Sequence, residues 1–516
     1  MTLITAFPLK RLTEVRVESF GQNVITLDSL KDHASSGARH ILIEVNAAHT
    51  GSQPQYCEVV INSDRRKVYN WREFSAGTRG VLTRYKLEQT TGHGVDIPSR
   101  DQDLYGGGFL LFPNAFHSDN LKIFQTVGSS VEERFNRHVG IYMRPEPIDS
   151  IQLRPSQDVE QDNAWDIGSI FQLYAVDESH LVGEQHPGAD GRITVTEPLR
   201  DTNHLSLLMH MRAQEGVEAW QGERIYQIVN GSDNDDRYVV QRLGGENNEV
   251  NKIIDGRFIE QRVGWSPDEL APKGSFGTIA ALYPELQSAE FYQSWISQHA
   301  SSEGVYFPVS QENGRWEYRD RVSELRFYPR FRSGSAVGSR IDAYRVPSNP
   351  TTRYLVGEGG DRLVKLDVPP GVVCLRAIFV ARTDADQVED GILIELNEDT
   401  STLNYARRRV SAADGTHETG RADDNEFGVA PGRRAPSNVF GCGILNFLQH
   451  AADDREKHVL AIVGTSGGRL ALYGGRWRSR HPVKSVTFKP RMGNVFEKGS
   501  AFELSFVPET ANHIWG

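Results

Sequence analysis

The sequence predicts an all-β protein built from three tandem, jelly-roll-like antiparallel β-sandwich domains. Three observations carry that expectation. A closing signature recurs: Ile148, Ser150, Ile151 and Leu153 precede Gly168, Ser169, Phe171 and Tyr174; Val322, Leu325 and Phe327 precede Gly338, Ser339, Ile341 and Tyr344; Val483, Ser485, Val486 and Phe488 precede Gly499, Ser500, Phe502 and Leu504. The Gly-Ser pairs lie 170 and 161 residues apart, too long for a solenoid unit of about 20–50 residues and suited to a whole domain. Apolar residues come in short β-branched runs without a long helical period, and the 48 Gly and 23 Pro are spread through all 516 residues, as in a turn-rich β protein.

The elements can be followed in order. Each copy opens on a short strand: Val24 to Leu27, Ile193 to Thr196, and Leu363 to Leu366. A second strand follows at Ile41 to Val45, Leu205 to Met211, and Val372 to Val380. The third ends in Asn, with an Asp and then a Tyr beyond it: Asn62, Asp64 and Tyr69; Asn230, Asp233 and Tyr238; Asn397, Asp399 and Tyr405. Asn and Asp end strands well because they bond nearby backbone and tolerate left-handed conformations. The Tyr then begins the next strand with its ring over the edge of the core. These positions are expected to be structural, with a cation or sugar-hydroxyl ligand role as the alternative. A Gly-flanked apolar strand comes next, at Gly108 to Phe112, Gly277 to Leu282, and Gly443 to Phe447. A further strand reads clearly at Ile123 to Val127 and Val459 to Val463, and less clearly at Phe291 to Ile296. The glycines that close the signature, Gly168, Gly338 and Gly499, suit a positive φ or a bulge, and Ser169, Ser339 and Ser500 can bond local backbone.

The predicted organisation is an N-terminal arm at 1–21, sandwiches at 22–177, 191–347 and 361–509, linkers at 178–190 and 348–360, and a tail at 510–516. In the third copy, Ser411 to Ser437 is polar, lacks apolar periodicity, and reads as a long exposed loop. The arm carries Ile4, Phe7 and Leu9, apolar residues that its own copy does not need for a core. They are the expected interaction residues.

The net charge of −11 argues against a nucleic-acid wrapper, which needs a basic field. No run reaches about 18 apolar residues, so no membrane insertion is expected, and the first residues show no secretion signal. Cys57, Cys374 and Cys442 are odd in number and scattered, which suits three reduced thiols in a chain made in the cytosol; a Cys374–Cys442 bridge is the alternative. No phosphate loop, nucleophile elbow or His-Glu-x-x-His occurs, so no catalytic residues and no cofactor are expected. Asp233, Asp235 and Asp236 form an acidic knot that suits Ca²⁺ through oxygen ligands, against the commoner reading of a solvated loop.

The closing pattern, with the Asn-x-Asp and Tyr before it, resembles a domain of tailed-bacteriophage structural proteins. The resemblance spans nearly the whole chain, once per copy. It departs at Arg321 to Leu325 and at Ser505, where Tyr174 and Tyr344 stand in the other copies. It implies a non-enzymatic virion component, a capsid-surface decoration or a tail or fibre-adaptor protein, made in the host bacterial cytoplasm. Its partners would be other copies of itself and neighbouring virion proteins. A multivalent protein binding carbohydrate, such as a host surface glycan, or a receptor is the first alternative, and a glycan-cleaving enzyme the second.

Overall fold

The computed structural model describes residues 7–508 except 36, 52–54, 78–79, 100–104, 130–133, 157–162, 197–198, 200–201, 215–221, 233–236, 247–248, 256–261, 269–270, 272, 301–308, 331–333, 348–351, 414–415 and 466–467. In the first unit the strands are β1 (Leu9–Arg16), β2 (Ile25–Leu27), β3 (Ile41–Ala47), β4 (Gln55–Ile61), β5 (Tyr69–Gly77), β6 (Gly80–Gln89), β7 (Gly92–Ile97), β8 (Gly106–Phe112), β9 (Lys122–Ser129), β10 (Arg134–Tyr142), β11 (Ile151–Pro155) and β12 (Ile170–Val176). Eight form a sheet in the order β1-β12-β3-β8-β9-β10-β5-β6, and four form a second sheet, β2-β11-β4-β7. The next twelve strands, from Leu181–Gln185 to Arg340–Arg345, repeat both orders. So do the last twelve, from Arg353–Leu355 to Ala501–Pro508. The chain is therefore all-β, in antiparallel sandwiches of one eight-stranded and one four-stranded sheet.

The signature residues hold equivalent corners together. Asn62, Asn230 and Asn397 all have φ between 51° and 54°. Each amide oxygen accepts two backbone N–H groups at the start of the closing strand: those of Asp149 and Ser150, of Ser323 and Glu324, and of Lys484 and Ser485. The hydroxyls of Tyr69, Tyr238 and Tyr405 accept the N–H of Ile61, Val229 and Leu396, so each ring pins the end of the preceding strand. Gly168, Gly338 and Gly499 have φ of 89°, 90° and 87°, a region where a side chain is strained. The following Ser169, Ser339 and Ser500 exchange hydrogen bonds with the backbone of Ala48, Arg212 and Arg382. Asp64 caps its own turn by accepting from Arg66 and Tyr142, and Asp399 accepts from Ser401, Asn404 and Trp477. Asp233 lies outside the described residues.

Three expectations need correction. The N-terminal segment is not a free arm: Leu9–Arg16 is the edge strand of the first eight-stranded sheet, paired with β12. Its Lys, Arg and Glu make it read as a tail, but charged side chains are what an edge strand carries toward solvent. The two linkers likewise supply Leu181–Gln185 and Arg353–Leu355, the edge strands of the second and third sheets. The segment from Ser411 to Ser437 is no long loop. It completes the strand Tyr405–Ala413 and contains Thr416–Ala422 and Glu426–Pro431. The last of these is buried throughout, with Glu426 paired to arginines, so a charge at a core position hid its periodicity.

Nor are the cores three separate ones. The first and second sandwiches have their own interior clusters, around Ile43, Phe124 and Trp165 and around Leu207, Trp295 and Phe327. A larger cluster joins Phe7, Phe109, Phe135, Leu243, Ile296 and Tyr344 to the interior of the third. The eight-stranded sheets turn their second faces toward one another and are buried on both sides, as the uniformly buried strands β3, β8 and β9 show. The first copy touches the second, the second the third, and the third the first, closing a ring.

Candidate functional site

The seams of this ring are built from polar side chains at repeat-equivalent positions. Strand register places His40, His204 and Cys374 at one such position, each seven residues before the residue paired with Gly106, Gly277 or Gly441. Gln172, Asp342 and Glu503 share another, paired with Glu44, Leu208 and Ile378. Between copies one and two, His40 Nε2 lies 3.2 Å from Asp342, and both side chains are buried. Between copies two and three, His204 Nε2 lies 3.0 Å from Glu503, also buried. In both, Nδ1 accepts a backbone N–H, from Asn114 or Glu285, so Nε2 carries the proton and faces the carboxylate, and that of His204 donates to Glu503. Asp342 is held below the usual carboxylate range: burial opposes ionisation, but the neighbouring His40, Arg340 and Arg39 outweigh it. The third seam has Cys374 and Gln172 instead, and is joined by Arg376 donating to Phe7 O at 2.6 Å and Arg455 donating to Asn46 Oδ1 at 3.0 Å and Gly168 O at 2.8 Å. Arg137, fully buried, crosses from the first copy to the carbonyls of Ser310 and His299 at 2.7 and 2.9 Å; burial pushes its pKa down to about 9.

A second set of equivalent positions lies inside each sandwich, between the two sheets. In the first copy it is Glu73 on β5, His138 paired with it on β10, and His93 on β7. In the second, Arg242 pairs with Glu312 and faces Arg262; Arg262 Nε is 2.6 Å from Glu312 Oε1, both buried. In the third, Arg409 pairs with Tyr473 and faces Glu426, which has Arg407 at 3.6 Å and Arg409 at 3.9 Å. The ligand atoms of Glu73, His93 and His138 lie within 4.8 Å of one another, and all three residues are buried. Sequence reading missed this set because its members are scattered over 66 residues and form no motif. Its legible signal is the alignment of the copies, where the residue four after each of Tyr69, Tyr238 and Tyr405 is charged.

Of the residues expected to carry interactions, Phe7 and Leu9 are buried within the ring. The ring of Phe7 meets that of Tyr344 edge-on, with centroids 5.7 Å apart. Ile4 lies outside the described residues, as do Asp233, Asp235 and Asp236 of the acidic knot and the tail at 510–516. Cys57, Cys374 and Cys442 are free and buried, and burial pushes their thiol pKa values up, to about 12 for Cys374 and Cys442. No helix among the described residues is long and apolar enough to cross a membrane.

No family model matches the chain, and no curated protein does. Among solved structures, a mutant of Rh. blastica porin is 7% identical over 82% of this chain and 99% of its own, with a TM-score of 0.10. Xylan beta-1,4-xylosidase from Bacillus halodurans C-125 is 7% identical over 89% of this chain and 100% of its own, with a TM-score of 0.15. Pseudomonas aeruginosa OpdL is 9% identical over 88% of this chain and 99% of its own, with a TM-score of 0.10. At such scores the likeness assigns neither fold nor function.

Proposed function

We propose that the chain is a non-enzymatic structural component of a tailed-phage virion, on the capsid surface or in the tail, and acts through subunit contacts. One observation supports a building role above others: the three copies spend their eight-stranded sheets on one another. A tandem array for multivalent binding gains from modules that reach separately; a closed ring gives up that reach for rigidity. Among the described residues, the large exposed apolar side chains, such as Phe20, Val337, Leu403 and Met492, occupy no common repeat position, and no aromatic platform recurs among them as a repeated sugar site would require. The phage assignment itself rests on the resemblance of the closing signature. Its test is mass spectrometry of purified particles from a culture of the encoding organism after induction or infection. The chain is expected among the stoichiometric particle proteins. Abundance in the lysate with absence from the particles would refute the proposal.

A further inference from the structure

We infer that Glu73, His93 and His138 form a binding site for one divalent transition-metal ion, with zinc the ion of choice, bridging the two sheets of the first sandwich. Two imidazoles and a carboxylate are a donor set that suits such ions. They come from both sheets: Glu73 and His138 from the eight-stranded sheet, His93 from the four-stranded one. Their donor atoms already lie within 4.8 Å of one another, and a tetrahedral ion at about 2.0–2.1 Å from each would draw them to about 3.3 Å.

The equivalent positions of the other two copies carry a different chemistry. In the second and third sandwiches these positions hold a carboxylate together with its own cation: Glu312 with Arg262, and Glu426 with Arg409. In the first, the two positions beside the carboxylate are both imidazoles. The cation on Glu73 is Arg84, from the neighbouring strand β6. Its side chain is 40% exposed, and its guanidinium lies 5.7 Å over the ring of Trp71. Arg84 thus stands at the solvent side of the cluster and can swing away as an ion enters. Tyr56 and Trp71 pack on His93, with ring centroids 3.7 and 4.7 Å away, and His93 packs on His138 at 3.8 Å. The imidazoles are therefore held in place before any ion arrives.

Equilibrium dialysis of the full-length chain against zinc chloride, after treatment with chelator, tests the site, with Co²⁺ absorption as a second readout. One zinc per chain is expected, with a Co²⁺ spectrum of nitrogen and oxygen ligation. His93→Gln and His138→Gln should each weaken binding roughly 100-fold or more, since loss of an outer partner alone costs about 10–100-fold. Arg84→Gln should tighten it by removing the competing cation, and Glu312→Gln, at the equivalent position of the second copy, should leave the stoichiometry unchanged. Absence of saturable binding by the native chain overturns the inference even if both His variants fail to fold. So does binding that both folded His variants retain, which would place the ion elsewhere, for instance in the acidic knot.

Discussion

Truncating His204 to Ala should open the seam between the second and third copies. The imidazole is 2% exposed and donates at 3.0 Å to Glu503, itself 1% exposed. Its Nδ1 accepts the N–H of Glu285 at 3.2 Å. Truncation removes both bonds. Arg353, 3.7 Å from Glu503, is too distant to replace the lost one. Breaking a buried polar pair by removing one partner costs about 3–5 kcal/mol, and the abandoned backbone N–H falls within that figure. His40→Ala should cost less, about 1–3 kcal/mol, because Asp342 keeps Arg340 at 3.0 Å and Arg39 at 3.5 Å. Urea denaturation of both variants supplies the comparison. A double-mutant cycle of His204→Ala with Glu503→Gln should show a coupling of at least about 1 kcal/mol. Hydrogen exchange should locate the loss, with protection falling first in Leu205–Met211 and Ala501–Pro508 and last in β3. A His204→Ala cost below about 1 kcal/mol, or one no larger than that of His40→Ala, would show that the seam is held by apolar burial and that its polar pairs are incidental.

Deleting residues 1–16 should destabilise the chain, not merely impair its assembly. It strips the β12 edge and removes the buried Phe7 and Leu9, whose burial is worth about 3–6 kcal/mol together, and a truncated chain with an unchanged melting temperature would contradict that. Alkylation of native protein should leave Cys57, Cys374 and Cys442 unmodified, with three modifications after denaturation; rapid labelling of the native state would mean that burial does not protect them. Burial raises the pKa of Glu44 to about 7, outweighing its hydrogen bonds from Gln449 and Tyr174. The folded chain then holds a proton that the unfolded chain has lost, so the stability it contributes is present below pH 4.5 and is lost as pH rises through 7. Glu44→Gln should therefore become steadily more stable than the parent between pH 5 and 8, by up to about 3 kcal/mol; a difference that does not vary with pH would refute it.

How much of this was legible follows from which forces write a period into sequence. The corners were legible because Asn62, Asn230 and Asn397 need left-handed backbone, and Gly168, Gly338 and Gly499 need a positive φ. Few residue types meet those demands, so they recur at fixed spacing. The central strands were legible from unbroken apolar runs such as Phe109 to Phe112. The edge strands were not: Leu9–Arg16 and Thr416–Ala422 have one ladder partner and much solvent, and their polar sequences look like loops. The ring was illegible for a related reason. Arg137, Gln125 and Gln298 sit on strands that mix polar with apolar residues, where the pattern predicts a solvated face. They are buried instead, with Arg137 and Gln125 spending their donors on carbonyls of the next copy and Gln298 donating to Gln125. Periodicity records that a face is polar and does not say whether water or another domain satisfies it.

Fusion of the three copies into one chain explains why the polar positions differ between them. In a homotrimer of single sandwiches, symmetry would impose one residue on all three seams and one triad on all three interiors. A single chain lifts that constraint. The seam position can then be His40, His204 and Cys374, and the interior triad can be Glu-His-His in one copy and arginine paired with glutamate in the others. The backbone corners have not diverged in the same way: the Asn, Tyr, Gly and Ser that hold the strand ends are the same residue in every copy. What a sandwich needs in order to fold has stayed fixed, while positions that need only be polar and satisfied have drifted apart. Differences among equivalent positions are therefore the place to look for function in this chain, and in the first copy two imidazoles stand where its siblings keep a built-in ion pair.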